Sequence, residues 1–189
     1  MKRLLPIIFV LFCSFSCKRY TPHPYAYFRI DLPKERTYTL LEDYPYTFEY
    51  PQKIVQIIPK KDANEPYWID IYYPNLKTKI HCSYKTISSS QNFYEISEDT
   101  RSFVYKHTIK ADAIDENYYE NPEHNTYGIL YSLKGNTASP MQFVLTDSTK
   151  HFFRGALYFE ASPNQDSIAP VLNFVKEDIL RLIETFEWK

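Results

Sequence analysis

Residues 126–160 read TYGILYSLKG, NTASPMQFVLTDS and TKHFFRGALYFE in succession. These are three runs of apolar, β-branched and aromatic residues separated by turn formers. In the first run Tyr127, Ile129, Tyr131 and Leu133 alternate with Gly128, Leu130 and Ser132, which is the period of a strand. Gly135-Asn136 supplies a site that tolerates positive φ, and Asp147-Ser148-Thr149 supplies a second turn. An antiparallel meander is expected here, with the rest of the chain packed on it or extending it.

Upstream, Ser88-Ser89-Ser90 is a run of capping residues, and Phe93, Ile96, Thr100, Val104 and His107 recur at helical spacing behind it. One amphipathic helix follows from that pattern, and Asp115 to Tyr119 then leads into the meander. Further upstream, Tyr46 to Tyr50 alternates as a strand stopped by Pro51, and Ile54 to Ile58 is a second strand stopped by Pro59. Lys60 to Pro66 is polar and reads as a loop. Tyr67 to Tyr73 and Leu76 to Lys85 form a strand pair divided by Pro74-Asn75. In the latter strand Lys77, Lys79, His81 and Ser83 share one face, and Thr78, Ile80, Cys82 and Tyr84 share the buried one.

Downstream, Asp166 or Ser167 caps a last helix with the apolar stripe Ile168, Leu172, Val175, Ile179, Ile183 and Phe186. Pro170 is tolerated there as a first-turn residue, where its missing N–H has no intrahelical partner. The order is several strands, a helix, three or four strands, and a closing helix. That makes one α+β domain, an antiparallel sheet flanked by two helices, and its element order resembles that of Mog1/PsbP-like domains.

The chain has 189 residues, enough for one domain of ordinary size. Met1-Lys2-Arg3 is a basic n-region, and Leu4 to Phe15 is an apolar segment too short to span a bilayer as a stable helix. It ends in Ser14-Phe15-Ser16-Cys17, which resembles the lipobox of bacterial lipoproteins, where the cysteine is acylated and becomes the new N-terminus. Ser14 departs from that pattern, in which an aliphatic residue is commoner. The alternatives are an ordinary secretory signal cleaved near Ser16 and an uncleaved anchor. The expected organisation is a lipoprotein signal peptide over 1–17, a tether with an extended segment over 18–40, and the α+β domain over 41–189. More than one acyl chain on Cys17 makes membrane attachment stable.

Lys18-Arg19 suits an anionic headgroup layer and is unlike an acidic surface-export signal, so a periplasm-facing position on the inner or the outer membrane is expected. Removal of residues 1–17 takes away Lys2 and Arg3 and no acid, moving the net charge from −1 to −3. That balance argues against nucleic acid as a partner. Cys82 is then the one cysteine left for the folded domain, so no intramolecular disulfide is expected, and its strand position makes it a buried thiol.

None of the five histidines stands in an HxxxH or HExxH spacing, no serine sits in a Gly-x-Ser-x-Gly elbow, and three glycines are too few for phosphate-cradling loops. No enzyme activity, metal, cofactor or small-molecule substrate is expected. Two stretches stand out as partner-binding candidates. One is the charged segment holding His107, Lys110 and Asp112, which also reads as a helix end. The other holds Lys150, His151 and Arg154, which also reads as an exposed turn running into a close-packed strand at Gly155. With 18 Tyr and 13 Phe, the aromatic side chains make a half-buried sheet surface, or else a face for sugars or a partner.

Six strings carry a more specific resemblance: YFRIDLP (27–33), EPYWI (65–69), YKHTIKADAI (105–114), YGILY (127–131), DSTKHFFRGALYF (147–159) and LIETFEWK (182–189). Together they resemble the gliding motility lipoprotein GldD family of Bacteroidota. The resemblance implies a membrane-anchored envelope lipoprotein supporting gliding and the associated type IX protein secretion through contacts with other envelope proteins and lipoproteins. It carries over no catalytic residues. The alternatives kept beside it are an envelope glycan- or peptidoglycan-binding module and a cryptic hydrolase. Replacing Cys17 by Ala is expected to leave an unlipidated precursor and to shift the protein out of the membrane fraction, read by acyl labelling and fractionation; unchanged acylation would refute the lipobox reading.

Overall fold

The computed structural model describes residues 30–60, 65–106, 111–160 and 165–189. The meander forms as its alternation requires: strands β8 (Thr126–Lys134), β9 (Met141–Thr146) and β10 (His151–Phe159) follow one another with antiparallel pairing. Gly135 takes φ 103° at the first turn and Ser148 φ 61° at the second. A nine-residue strand, β7 (Ala113–Asn121), precedes them and pairs with β8 along its whole length. Its polar composition hid that length, because β7 is an edge strand with most side chains in water.

The upstream half contributes β4 (Gln56–Pro59), β5 (Ile69–Tyr73) and β6 (Thr78–Thr86). The sheet order is β4-β5-β6-β10-β9-β8-β7. Two local meanders are thus joined by one long-range seam, β6 against β10, from His151↔Thr86 to Phe159↔Thr78. Pro59 closes β4 from within, which an edge strand permits because one side of its backbone has no ladder to feed. A 3-10 turn at Pro74–Leu76, ended by Lys77 at φ 47°, divides β5 from β6.

Between the halves runs α1 (Ser90–Lys106). Ser89 Oγ accepts the Asn92 N–H at 3.1 Å, and Asn92 Oδ1 accepts the Ser88 N–H at 3.1 Å, a reciprocal cap on the first turn. The second helix, α2 (Gln165–Glu184), begins at Gln165, ahead of Asp166 and Ser167. Pro170 is therefore its sixth residue, past the first turn, and deprives the carbonyl of Asp166 of its helical partner.

Each helix covers one face of the sheet. Ile71, Ile80, Phe143, Phe153 and Leu157 meet Val171, Val175, Ile179 and Leu182 of α2 in the main core. On the other face Ile96 joins Ile87 and Phe152, while Val104 joins Tyr131 and Leu133. The stretch Tyr46 to Tyr50 is two short strands, β2 (Tyr46–Thr47) and β3 (Glu49–Pro51), because its two ends pair with different partners; between them the Phe48 carbonyl accepts the Leu41 N–H at 2.9 Å. β2 pairs with β11 (Glu187–Trp188), and β3 pairs with β1 (Tyr38–Leu40). Tyr46, Phe48, Phe153 and Phe186 are fully buried at this junction, with the Tyr46 and Phe153 rings 4.7 Å apart.

β1 lies within residues 18–40, and just ahead of it Arg36 reaches α2. Its Nη1 donates to Asp178 Oδ1 at 2.9 Å, and the guanidinium stacks 3.8 Å from the Phe174 ring centroid. Asp178 also accepts the hydroxyls of Tyr38 at 2.8 Å and Tyr73 at 3.1 Å. Three elements are so fastened to one carboxylate that is only 2% exposed. Asp178→Ala would take the acceptor from the Tyr38 and Tyr73 hydroxyls and leave Arg36, 14% exposed, with Glu177 at 3.0 Å and the Phe174 carbonyl at 3.2 Å, and is expected to cost about 3 kcal/mol. An Arg36→Met, Asp178→Leu pair should lose clearly less than the single change. Urea unfolding of the three variants checks this, and equal losses would count against the network.

Candidate functional site

Helix α1 is too narrow to cover its face of the sheet, and a cleft opens on either side of it. The first, about 410 Å³, lies between α1 and strands β5, β6 and β10. Cross-strand register places Asp70 opposite His81, and Ser83 opposite Arg154. Asp70, 7% exposed, accepts from Lys60 Nζ at 2.5 Å and contacts His81 Nδ1 at 2.5 Å. Arg154 Nη2 donates to Gln142 Oε1 at 2.7 Å, and its guanidinium lies 5.3 Å from the Phe103 ring centroid. Burial pushes the Arg154 pKa down, against the pull of Tyr158. Among the described residues no carboxylate forms an ion pair with Arg154.

The second cleft, about 270 Å³, lies between α1 and strands β7 and β8 and is lined by Phe93, Tyr118, Tyr127 and Tyr131 among others. Tyr118 is 74% exposed.

The β9–β10 turn is built around Asp147. Its Oδ1 accepts the N–H groups of Thr149, Lys150 and His151 at 3.0, 2.8 and 2.8 Å, and its Oδ2 accepts the Thr149 hydroxyl at 3.0 Å. This leaves Lys150 exposed at the tip, while His151 turns inward. There it stacks on Trp188, with centroids 5.1 Å apart, and its Nδ1 lies 2.6 Å from the Tyr84 hydroxyl. Burial lowers the His151 pKa.

The residues singled out by sequence thus occupy separate places. His151 and Arg154 stand three positions apart on one strand, so they leave opposite faces of the sheet. His151 joins the aromatic junction under β11, and Arg154 enters the first cleft. Asp112 is exposed just ahead of β7, its N–H donated to the Lys134 carbonyl at 2.9 Å. His107, Lys110 and Cys17 lie outside the described residues, as do residues 1–17.

Sequence reasoning passed over Asp70, Gln142 and Asp178. Asp178 carried a readable signal, a lone acid between Val175, Ile179 and Leu182 on an apolar stripe. Asp70 and Gln142 carried none, because their partners are set by strand pairing. Cys82 is buried as its strand face required, and burial raises its pKa, which keeps it a thiol. Among the described residues no three His, Cys, Asp or Glu side chains gather as a metal site would need. No helix of the described residues is long and apolar enough to cross a membrane.

Burial alone would raise the Asp147 carboxyl, but the hydrogen bonds from His151, Lys150 and Thr149 outweigh it and hold its pKa below the ordinary 3.8. A folded-state value below the unfolded one stabilises the fold fully above about pH 3.8 and stops doing so as pH falls through the lower value. Asp147→Asn is expected to cost about 1 kcal/mol at pH 7 and to flatten the acid side of the stability profile. Urea titrations from neutral pH into the acid range test this, and an unchanged acid slope would remove Asp147 from the account.

Among solved structures, the chain is similar to cyanobacterial PsbP from Synechocystis sp. PCC 6803, at 12% identity and a TM-score of 0.47, covering 82% of this chain and 94% of that one. No curated protein matches. The family whose sequence pattern matches is described as gliding motility lipoprotein GldD, and the match runs over residues 17–188. It begins at Cys17 and takes in every strand and both helices described above. This chain belongs to the gliding motility lipoprotein GldD family.

Proposed function

We propose that the protein is anchored in the cell envelope by acyl chains on Cys17 and supports assembly or stability of the gliding apparatus and the associated type IX secretion machinery through protein contacts. The observation that carries this reading is the reach of the family match, which starts at the cysteine of the lipobox-like Ser14-Phe15-Ser16-Cys17 and continues to residue 188. In this reading residues 1–17 are a signal peptide that is removed, and the segment after Cys17 is a tether leading to Arg36. Lys18-Arg19 favours a periplasm-facing leaflet. The domain then works as a contact surface rather than an enzyme, presenting Lys150 at the β9–β10 tip and Asp112 just ahead of β7.

A second reading, an envelope glycan-binding module, draws on the tyrosine-lined cleft beside β7 and β8. Aromatic rings offer sugars an apolar platform with polar edges.

Affinity capture of the native lipoprotein from cross-linked envelopes, with Cys17→Ala as control, separates the two. Recovery of gliding or secretion components, reduced when the anchor is lost, is the expected result. Recovery of wall glycan alone would overturn the assembly role in favour of the glycan reading, and recovery of nothing would overturn both.

A further inference from the structure

The cleft between α1 and strands β5, β6 and β10 holds a positive charge that no acid among the described residues pairs. Arg154 enters it from β10, and the two acids nearby do not serve it. Asp70 is taken by Lys60 and His81. Asp99 lines the cleft from α1 but forms no ion pair with Arg154. What holds Arg154 is neutral: the Gln142 amide oxygen, the Tyr158 hydroxyl and the Phe103 ring. Its Nε is buried with no acceptor, and so is Nε2 of Gln142, a residue only 1% exposed. Rotating the Gln142 amide does not help, since its oxygen is already committed to Arg154.

Leaving a cation partly dehydrated and unpaired is costly, and burying donors without acceptors adds to the cost. The first cost falls if an anion in the cleft pairs with the part of the Arg154 guanidinium that lines it. A guanidinium presents a planar fork of donors that matches a carboxylate in two-point contact. Lys85 also lines the cleft and adds positive charge, while Trp68, Ile96 and Phe152 make much of the remaining wall apolar. A volume of about 410 Å³ lies within the range of small-ligand pockets, which combine apolar walls with a few placed polar groups.

We propose that this cleft binds a carboxylate carried on an apolar or aromatic group, with Arg154 pairing the carboxylate and the Trp68–Phe103 walls taking the apolar part. The carboxylate belongs either to a free small acid or to the C-terminus of a peptide. This site is separate from the tyrosine-lined cleft across α1 and does not depend on the lipid anchor.

The full-length protein in non-ionic detergent would be titrated with 3-phenylpropionate and with N-acetyl-leucyl-phenylalanine, each beside its carboxamide. The indole N–H signal of Trp68, which donates to the Tyr84 carbonyl at 2.9 Å, reports on the cleft by NMR. That of Trp188 serves as an internal control. Saturable shifts at Trp68 are expected for the acids, with the carboxamides and Arg154→Gln each weaker by about tenfold. Binding tighter for the peptide than for 3-phenylpropionate assigns the site to chain ends, and equal binding assigns it to free acids.

Lys85→Glu, at an exposed position that leaves the core untouched, should weaken the acids by about threefold and spare the carboxamides. It keeps the test open if Arg154→Gln fails to fold. Absence of saturation by either acid, carboxamides that bind as well as acids, or acid binding indifferent to Lys85→Glu would each overturn the proposal.

Discussion

A seven-stranded sheet with apolar side chains on both faces has to be covered twice, and that requirement organises this molecule. Burial of apolar surface is the main favourable term in folding, and neither face could be left in water. Helix α2 seals one face with an almost unbroken apolar stripe. The small sheets β1-β3 and β2-β11, with the ring cluster of Tyr46, Phe48, Phe153 and Phe186, complete that side. The seam between β6 and β10 lies at the centre of both layers, so it fixes the relative placement of the two halves of the chain.

The other face is covered incompletely, and the candidate sites follow from that. Seven strands span about 29 Å across the ladder, whereas one helix is about 10–12 Å in diameter. A single α1 therefore leaves a gap on each side. One gap is walled by tyrosines from β7 and β8. The other falls over the central strands, where Asp70, His81 and Arg154 project from the same face. The two faces differ in chemistry because α2 demands an apolar bed along its whole length, while α1 demands one only beneath Ile96, Thr100 and Val104.

Much of the architecture was legible in the residues. Period-two alternation in 127–133, turn formers at Gly135 and Asp147, and helical spacing from Phe93 to Val104 are local signals, and the elements formed where those signals stood. The errors are also local in origin. Tyr46 to Tyr50 alternates like one strand, but its two ends pair with different partners, and nothing within five residues records that. β7 lacked an apolar signature because an edge strand has little to bury. Pro170 sits deeper in its helix than a first-turn reading allowed, since the boundary depends on where the preceding chain arrives. The candidate site was the least legible part. His151 and Arg154 are close in sequence, yet strand geometry sends them to opposite faces, and their working partners Trp188 and Gln142 come from elsewhere in the chain.

The sequence by itself determined the α+β class, the order of the elements, the buried thiol at Cys82 and the family strings, because periodicity, turn chemistry and motif identity are properties of neighbouring residues. Only the tertiary structure decided that Asp178 would gather Arg36, Tyr38 and Tyr73 and that Arg154 would enter a cleft whose acids, Asp70 and Asp99, do not pair with it. Those outcomes depend on register between strands distant in the chain and on how far one helix reaches across a sheet, quantities that no local pattern encodes.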